Sequence, residues 1–111
     1  MNIASEQHVA AMVIQINGEM TADECDNFKR KMLEATNNFA SDIIVDCTSL
    51  SLIDSVGLES LLWLSDEARR NKSRMRLACV PKTVSNILRL TRLDGAFSTH
   101  SNVEAAARSL H

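Results

Sequence analysis

Asp54 and Ser55 are the residues whose types and positions best suit chemistry, because they stand between a short apolar segment and a segment with helical periodicity. Either side chain at the start of a helix can accept a backbone N–H, and such a cap stabilises the helix by about 1 kcal/mol. A serine in this place can also carry a phosphate, which the helix dipole and free N–H groups stabilise. From the residues alone, capping is the simpler interpretation and phosphorylation of Ser55 is the functional alternative.

Nothing in the sequence would turn Ser55 into a catalytic nucleophile. A serine attacks a substrate only when an adjacent base activates it. The three histidines are scattered along the chain: His8, His100 and His111. The chain contains neither a glycine-rich phosphate loop nor a G-x-S-x-G turn. We therefore expect that the protein is not an enzyme, that it has no catalytic residues and that it binds no cofactor.

Length and composition predict one soluble globular domain over residues 1–111, with 45% hydrophobic residues and a formal net charge of −2. The 12 basic residues do not exceed the 14 acidic ones, so no basic field favours nucleic acid. The longest apolar run, residues 61–64, is far shorter than the roughly 20 residues that span a bilayer, and the N-terminal stretch lacks a signal-peptide pattern. We therefore expect a cytoplasmic protein without membrane insertion.

The cysteine pattern agrees with that compartment. The three cysteines, Cys25, Cys47 and Cys79, are dispersed and form no CxxC pair, so no zinc-ligand spacing is present. An odd, dispersed set suits a reducing environment, in which such residues act as small buried hydrophobes. We expect no metal site.

Strand and helix patterns alternate along the chain and place the Asp54–Ser55 corner after a central strand. Strand patterns cover 11–16, which ends at a predicted turn at Asn17–Gly18, then 42–47, 75–79 and, more weakly, 96–99. Capping boxes at 21–24 and 101–104 predict two helix starts, the second leading into a helix over 103–110. Three apolar stripes have helical spacing: Cys25, Phe28, Met32 and Ala35; Leu58, Leu61, Leu62, Ser65 and Ala68; Val84, Ile87, Leu88 and Thr91.

This alternation predicts an α/β fold with a mainly parallel sheet of four to five strands and about four helices packed against it. In such sheets, ligand and partner sites favour the carboxyl ends of the strands. The Asp54–Ser55 corner is such a place.

The segment 53–61 resembles the signature of the STAS domain, with its D-S-x-G-L-x-x-L core. The STAS family includes anti-sigma factor antagonists and the C-terminal domains of sulfate transporters. Residues 17–20 resemble the family's G-E-L-D segment, 43–46 resemble the strand before the signature, and the apolar spacing of 84–93 matches the third long helix. The resemblance runs from about residue 10 to the end, and it implies a mixed sheet with an early antiparallel strand.

The resemblance also implies a phosphorylation-controlled interaction switch. In single-domain members, the serine after the signature aspartate, which is Ser55 here, is phosphorylated by an ATP-binding serine kinase that is also the anti-sigma factor. The unphosphorylated antagonist binds this kinase and frees a sigma factor, and a metal-dependent serine phosphatase resets the phosphorylated form. Asp54 would shape the acceptor loop, and Gly57 would allow close approach of a partner's backbone.

Further partner-binding candidates follow from the family pattern and its departures. Val56 stands where the family often has serine or threonine, and Thr21 replaces the acid of the segment that contains Glu19. Trp63 lies off the apolar stripe of its helix, so we expect it to be exposed as a contact or packed under a chain terminus. Arg92 replaces a glycine after the third helix, where a left-handed backbone would cost roughly 1 kcal/mol.

Two questions stay open at this point. A basic stretch at 69–76 is either a solvated helix end and strand edge or a patch that steers an acidic partner. The function is either that of an anti-sigma factor antagonist, that of an accessory subunit of a membrane transporter, or that of a partner-switching regulator with another output. The acceptor serine favours the first.

Overall fold

The computed structural model describes residues 2–8 and 11–110, which form one mixed sheet with four helices. The strands are β1 (Asn2–His8), β2 (Ala11–Met20), β3 (Asp42–Asp46), β4 (Leu50–Ile53), β5 (Met75–Ala78) and β6 (Thr99–His100). The helices are α1 (Cys25–Ala35), α2 (Ser55–Arg70), α3 (Lys82–Leu90) and α4 (Val103–Arg108). Short 3₁₀ turns at Ala22–Glu24 and Asp94–Ala96 precede α1 and β6.

The sheet has the order β1-β2-β3-β5-β6, and β4 pairs with the far end of β2. β1 is antiparallel to β2, and every other pair is parallel. The predicted mixed, mainly parallel fold is therefore confirmed, although the structure has six strands where the sequence predicts four to five. The two that sequence patterns missed are β1, a polar strand, and β4, which is only four residues long.

The core has two layers because helices cover both faces of the sheet. Ile43 and Val45 pack towards the side of α1, α2 and α3, and Ile44 packs towards α4. All three side chains are fully buried, which explains the continuous apolar run of β3. The sheet is thus packed on both faces, and the corner after β4 lies at its edge.

The predicted turn at Asn17–Gly18 is wrong, because β2 continues through it to Met20. Residues 11–15 pair with β3, and residues 18–20 pair with β4 after a register shift between Gly18 and Glu19. Gly18 has a φ of 92°, a conformation that side chains other than glycine's rarely adopt. The glycine therefore marks the bulge at which one long strand changes partners.

Three further sequence expectations need correction. The buried face of α2 contains Gly57, Ser60 and Leu64 together with Leu58, Leu61 and Ala68, whereas the predicted stripe members Leu62 and Ser65 are only half-buried. The cap of α4 is Asn102, whose Oδ1 accepts the Ala105 N–H at 2.7 Å, and not Ser101. The weak strand over 96–99 shrinks to β6, because Asp94–Ala96 forms a 3₁₀ turn.

The described cysteines behave as the dispersed pattern predicts. Cys47 is buried in the core, where burial above all, helped by Asp46 and Cys79, raises the pKa of its thiol to about 12. Cys79 is half-buried, and both thiols are free. The side chain of Cys25 lies outside the described part of the chain. Cys47 is therefore a protonated packing residue at neutral pH.

Arg92 has a φ of 60°, so the turn after α3 does place a non-glycine residue in the left-handed region. The Leu93 N–H donates to the Leu88 carbonyl at 2.8 Å, which closes the C-terminal turn in the geometry that favours glycine. We expect Arg92→Gly to raise the free energy of unfolding by about 0.5–1 kcal/mol, measured by urea denaturation.

The matched control is Arg89→Gly, one turn earlier in the helical backbone of α3. It should lower the free energy of unfolding by about 1 kcal/mol, since glycine is a poor helix former. A destabilised Arg92→Gly variant would show that the arginine side chain contributes more than its backbone costs.

Candidate functional site

Asp54 caps α2 and joins two parts of the chain. Its Oδ1 accepts the Gly57 N–H at 2.8 Å, and its Oδ2 accepts the Ala22 N–H at 3.0 Å. These bonds, the one from Gly57 first, hold the pKa of the carboxyl below its usual range and outweigh the opposing effect of burial. Asp54 therefore stays ionised and fastens the start of α2 to the segment that leads into α1.

Ser55 is the first residue of α2, and its side chain is exposed. Of the two candidate capping residues, Asp54 and not Ser55 caps α2. The serine hydroxyl is therefore presented at the helix N-terminus, where an added negative charge is favourable for the helix itself.

Gly57 is buried because the backbone of β2 runs against it. A Cβ atom at this position would lie 2.2 Å from the Met20 carbonyl oxygen and 2.8 Å from Cγ1 of Ile53. The protein's own strand β2 thus makes a close approach that this glycine allows. Gly57 positions the corner from within, and a contact between Gly57 and a partner stays a prediction.

The structure brings Glu19 and Thr21 to the same corner. Glu19 is exposed and pairs in register with Leu52 of β4, two residues before Asp54. Thr21 is half-buried between the end of β2 and the Ala22–Glu24 turn, and α1 begins only at Cys25. The side chain of Glu24 lies outside the described residues, so the reciprocal bond of the predicted capping box is not described.

Val56 and Trp63 lie on α2 in different surroundings. Val56 is half-buried beside Ser55. Trp63 is also half-buried, with its ring edge-on to Phe28 at 6.5 Å and to Phe39 at 6.1 Å between centroids. Lys29 Nζ lies 5.6 Å from the centre of its ring. Trp63 therefore helps to join α1 to α2 and is half-buried, so the expectation of an exposed residue is wrong. Its role as a partner contact stays a prediction.

The corner has an acidic surface. The exposed residues Glu19, Asp23 and Glu59 lie on the segments that form the corner with Asp54, and the segments 17–24 and 48–68 contain no lysine or arginine. A phosphate on Ser55 would add a charge of about −1.5 to −2. These segments supply no cation that would compensate that charge.

Two contacts at the corner left no signal in the sequence. The Ala22 N–H that binds Asp54 is 32 positions away along the chain, and the Met20 carbonyl that excludes a side chain at Gly57 also accepts the Asp54 N–H at 3.2 Å. Both depend on β4 pairing with the end of β2. A sequence pattern that identified β4 as a strand would have been needed to predict these two contacts.

The described residues form neither a metal-ligand cluster nor a membrane-spanning helix. Across 2–8 and 11–110, no three histidine, cysteine, aspartate or glutamate side chains come together as metal ligands. In the same ranges, none of the helices has the length and apolar character needed to cross a membrane.

A model of the STAS domain family matches residues 2–106, and the chain therefore belongs to that family. Among solved structures, an anti-sigma factor antagonist from Mycobacterium paratuberculosis superimposes with a TM-score of 0.85 at 16% identity, covering 98% of this chain and 92% of its own. The antagonist SpoIIAA in its unphosphorylated form gives 0.76 at 22% identity, covering 97% and 96%. The predicted family is confirmed.

A membrane protein shares the same fold in one of its domains. The murine anion transporter Solute Carrier 26 family member A9 matches with a TM-score of 0.80 at 13% identity, covering 95% of this chain but only 18% of its own. At these identities, the likeness shows a shared fold.

Two aspartates with lowered pKa values predict acid sensitivity. Burial acts to raise the pKa of Asp42, but its hydrogen bonds and ion pair with Arg74, 2.9 Å away, hold the value below the usual range. Hydrogen bonds from backbone N–H groups, that of Gly57 above all, lower the pKa of Asp54. Both carboxyls have a lower pKa in the folded chain than in the unfolded chain, so the unfolded chain binds protons more readily. Their contribution to the free energy of unfolding is therefore fully present above about pH 5 and is lost as the pH drops below about 4.

Urea denaturation between neutral pH and about pH 3 checks this expectation. The double variant Asp42→Asn, Asp54→Asn should be less stable than the wild type at pH 7 and should lose less stability on acidification. An acid profile as steep as that of the wild type would mean that other groups control it.

Proposed function

We propose that this protein is an anti-sigma factor antagonist whose binding to its partner is controlled by phosphorylation of Ser55. The carrying observation is the exposed Ser55 hydroxyl at the first position of α2, next to an aspartate that already serves as the cap. Membership of the STAS family and the fold shared with two antagonists support the proposal.

The partner is an ATP-binding serine kinase that is itself the anti-sigma factor. The unphosphorylated corner binds the kinase, which then releases its sigma factor. Phosphorylation adds a dianion beside Asp54, in a corner whose segments carry no compensating cation, so renewed docking would bury uncompensated charge. A metal-dependent serine phosphatase restores binding. Glu19, Thr21 and Val56 belong to the contact surface.

The chain acts by binding and not by catalysis. Both Asp54 oxygens accept backbone N–H groups, so the carboxylate does not serve as the base that a nucleophilic serine needs. We propose that residues 1–111 act as one STAS domain in the cytoplasm, without direct contact with nucleic acid.

Capture of partners on wild-type and Ser55→Ala bait tests this function. Both baits should retain a small ATP-binding kinase, and only the wild type should be released when ATP is added. The alternative, an accessory subunit of a membrane transporter, is favoured by the shared fold of a domain of the murine anion transporter. Recovery of a transporter subunit on both baits, without a kinase, would select that alternative.

A further inference from the structure

A groove of about 260 Å³ lies at the opposite end of α2 from Ser55. It runs between the last turns of α2, the connection into β5 and the segment before β6. Its lining is polar, with three serines and three arginines beside two apolar residues: Ser65, Arg69, Ser73, Arg74, Met75, Arg76, Ala96 and Ser98. The α2 residues in this lining, Ser65 and Arg69, lie about 15 Å and about 21 Å from Ser55 along the helix axis.

Cations exceed carboxylates around this groove. The five cations at 69–76 outnumber the three carboxylates that form ion pairs with them, which are those of Asp42, Asp66 and Glu67. Arg74 is committed to Asp42 and to the Leu110 carbonyl, and Arg76 donates to Ser109 Oγ at 3.0 Å. These two side chains fasten α4 to the sheet and are not available to a ligand.

Arg70 pairs with Glu67 at 2.6 Å. Two exposed cations remain available: Arg69, which lines the groove, and Lys72, which precedes the lining residue Ser73 but is not itself part of the lining. The Arg69 side chain is 76% exposed, and its contact with Asp66, also exposed, is long at 3.7 Å. An exposed pair of this kind contributes little, so a better anionic partner can displace it. Lys72 is exposed, and no described carboxylate lies within ion-pair distance of it. Ser65 and Ser98 add hydroxyl groups to the lining.

We infer that this groove is a second docking surface, which takes an acidic segment of a protein partner. Arg69 in the lining, Lys72 next to the lining residue Ser73, and the hydroxyl groups of the lining match separate carboxylate side chains. The carboxylates interspersed among them, and the net charge of −2 of the chain, disfavour a continuous polyanion such as nucleic acid. Because of the distance along α2, the groove can be occupied whether or not Ser55 carries a phosphate or a partner.

A blocked hexaglutamate peptide is the probe, with hexaglutamine as the uncharged comparison. Titration into the ¹⁵N-labelled full chain should shift backbone resonances of 65–76 and 96–98 and leave those of 54–57 unchanged. Binding should weaken several-fold when salt is raised to about 0.3 M. Ser55→Asp should bind the peptide as the wild type does, so the result does not depend on the proposed switch.

The double variant Arg69→Glu, Lys72→Glu should weaken peptide binding at least about tenfold. The matched control Arg30→Glu, Lys82→Glu makes the same change in net charge at exposed cations on α1 and α3, and it should weaken binding less than about twofold. Arg69→Gln, Lys72→Gln repeats the test without charge reversal, in case the first variant folds poorly.

Three results would overturn the inference. Equal weakening by both charge-reversal variants would mean that the peptide senses only the overall charge. Tighter binding of a single-stranded DNA of equal charge would make the groove a polyanion site. Shifts centred on 54–57 would place the peptide at the Ser55 corner.

Discussion

Replacing Gly57 with alanine is expected to destabilise the domain by about 3 kcal/mol or more, equivalent to a fall of about 10 °C or more in Tm. The added methyl group would lie 2.2 Å from the Met20 carbonyl oxygen, which is backbone and cannot rotate away as a flexible side chain would. Relief requires α2 to move away from β2, and this separates Asp54 from the Ala22 N–H. The higher helix propensity of alanine offsets only about 1 kcal/mol of this cost.

Gly95→Ala is the matched control, because a Cβ atom there meets no atom within 4 Å. Thermal and urea denaturation of the two variants should therefore give a large loss for Gly57→Ala and a change within about 0.5 kcal/mol for Gly95→Ala. A Gly57→Ala variant as stable as the wild type would mean that α2 does not pack against the Met20 carbonyl of β2.

Ser55→Asp is expected to reduce affinity for the proposed kinase partner about 100-fold, or about 2.7 kcal/mol, while leaving the fold intact. The side chain is exposed at the first position of α2, where a negative charge interacts favourably with the helix dipole, so Tm should not fall. The loss comes from the interface, in which the new carboxylate has no compensating cation from 17–24 or 48–68.

Ser101→Asp provides the comparison, since Ser101 is exposed and follows β6 at the other flank of the sheet. The affinity of this variant for the proposed kinase partner, measured by calorimetry, should stay within about threefold of the wild type. Equal losses for both variants would point to a general charge effect, and an unchanged affinity for Ser55→Asp would remove Ser55 from the interface.

Much of the fold was predictable because long apolar patterns identify buried elements. The run in β3 and the helical stripe of α3 depend mainly on burial, which the sequence records directly. β1 is largely polar and β4 has four residues, so neither carries enough periodic signal. Asn17–Gly18 has the composition of a turn, and only the pairing of β2 with two different strands makes it a bulge.

The candidate site likewise has some features that local sequence patterns predict and others that depend on distant contacts. The position of Ser55 before a helix follows from local patterns, whereas the choice of Asp54 as the cap does not, since both side chains are good caps. The role of Gly57 depends on Met20, which is distant in sequence. Trp63 is less exposed than its place off the apolar stripe predicts, because α2 packs against α1 as well as the sheet. The buried face of α2 is therefore wider than one stripe.

Intact-mass analysis of the protein purified from its native cells, beside Ser55→Ala expressed in the same way, tests the central claim most directly. We expect the wild type to carry the added mass of one phosphate in a fraction of molecules, with fragmentation placing it on Ser55, and the alanine variant to carry none. A wild-type protein without phosphate under all growth conditions, or a phosphate that persists in Ser55→Ala, would contradict the account.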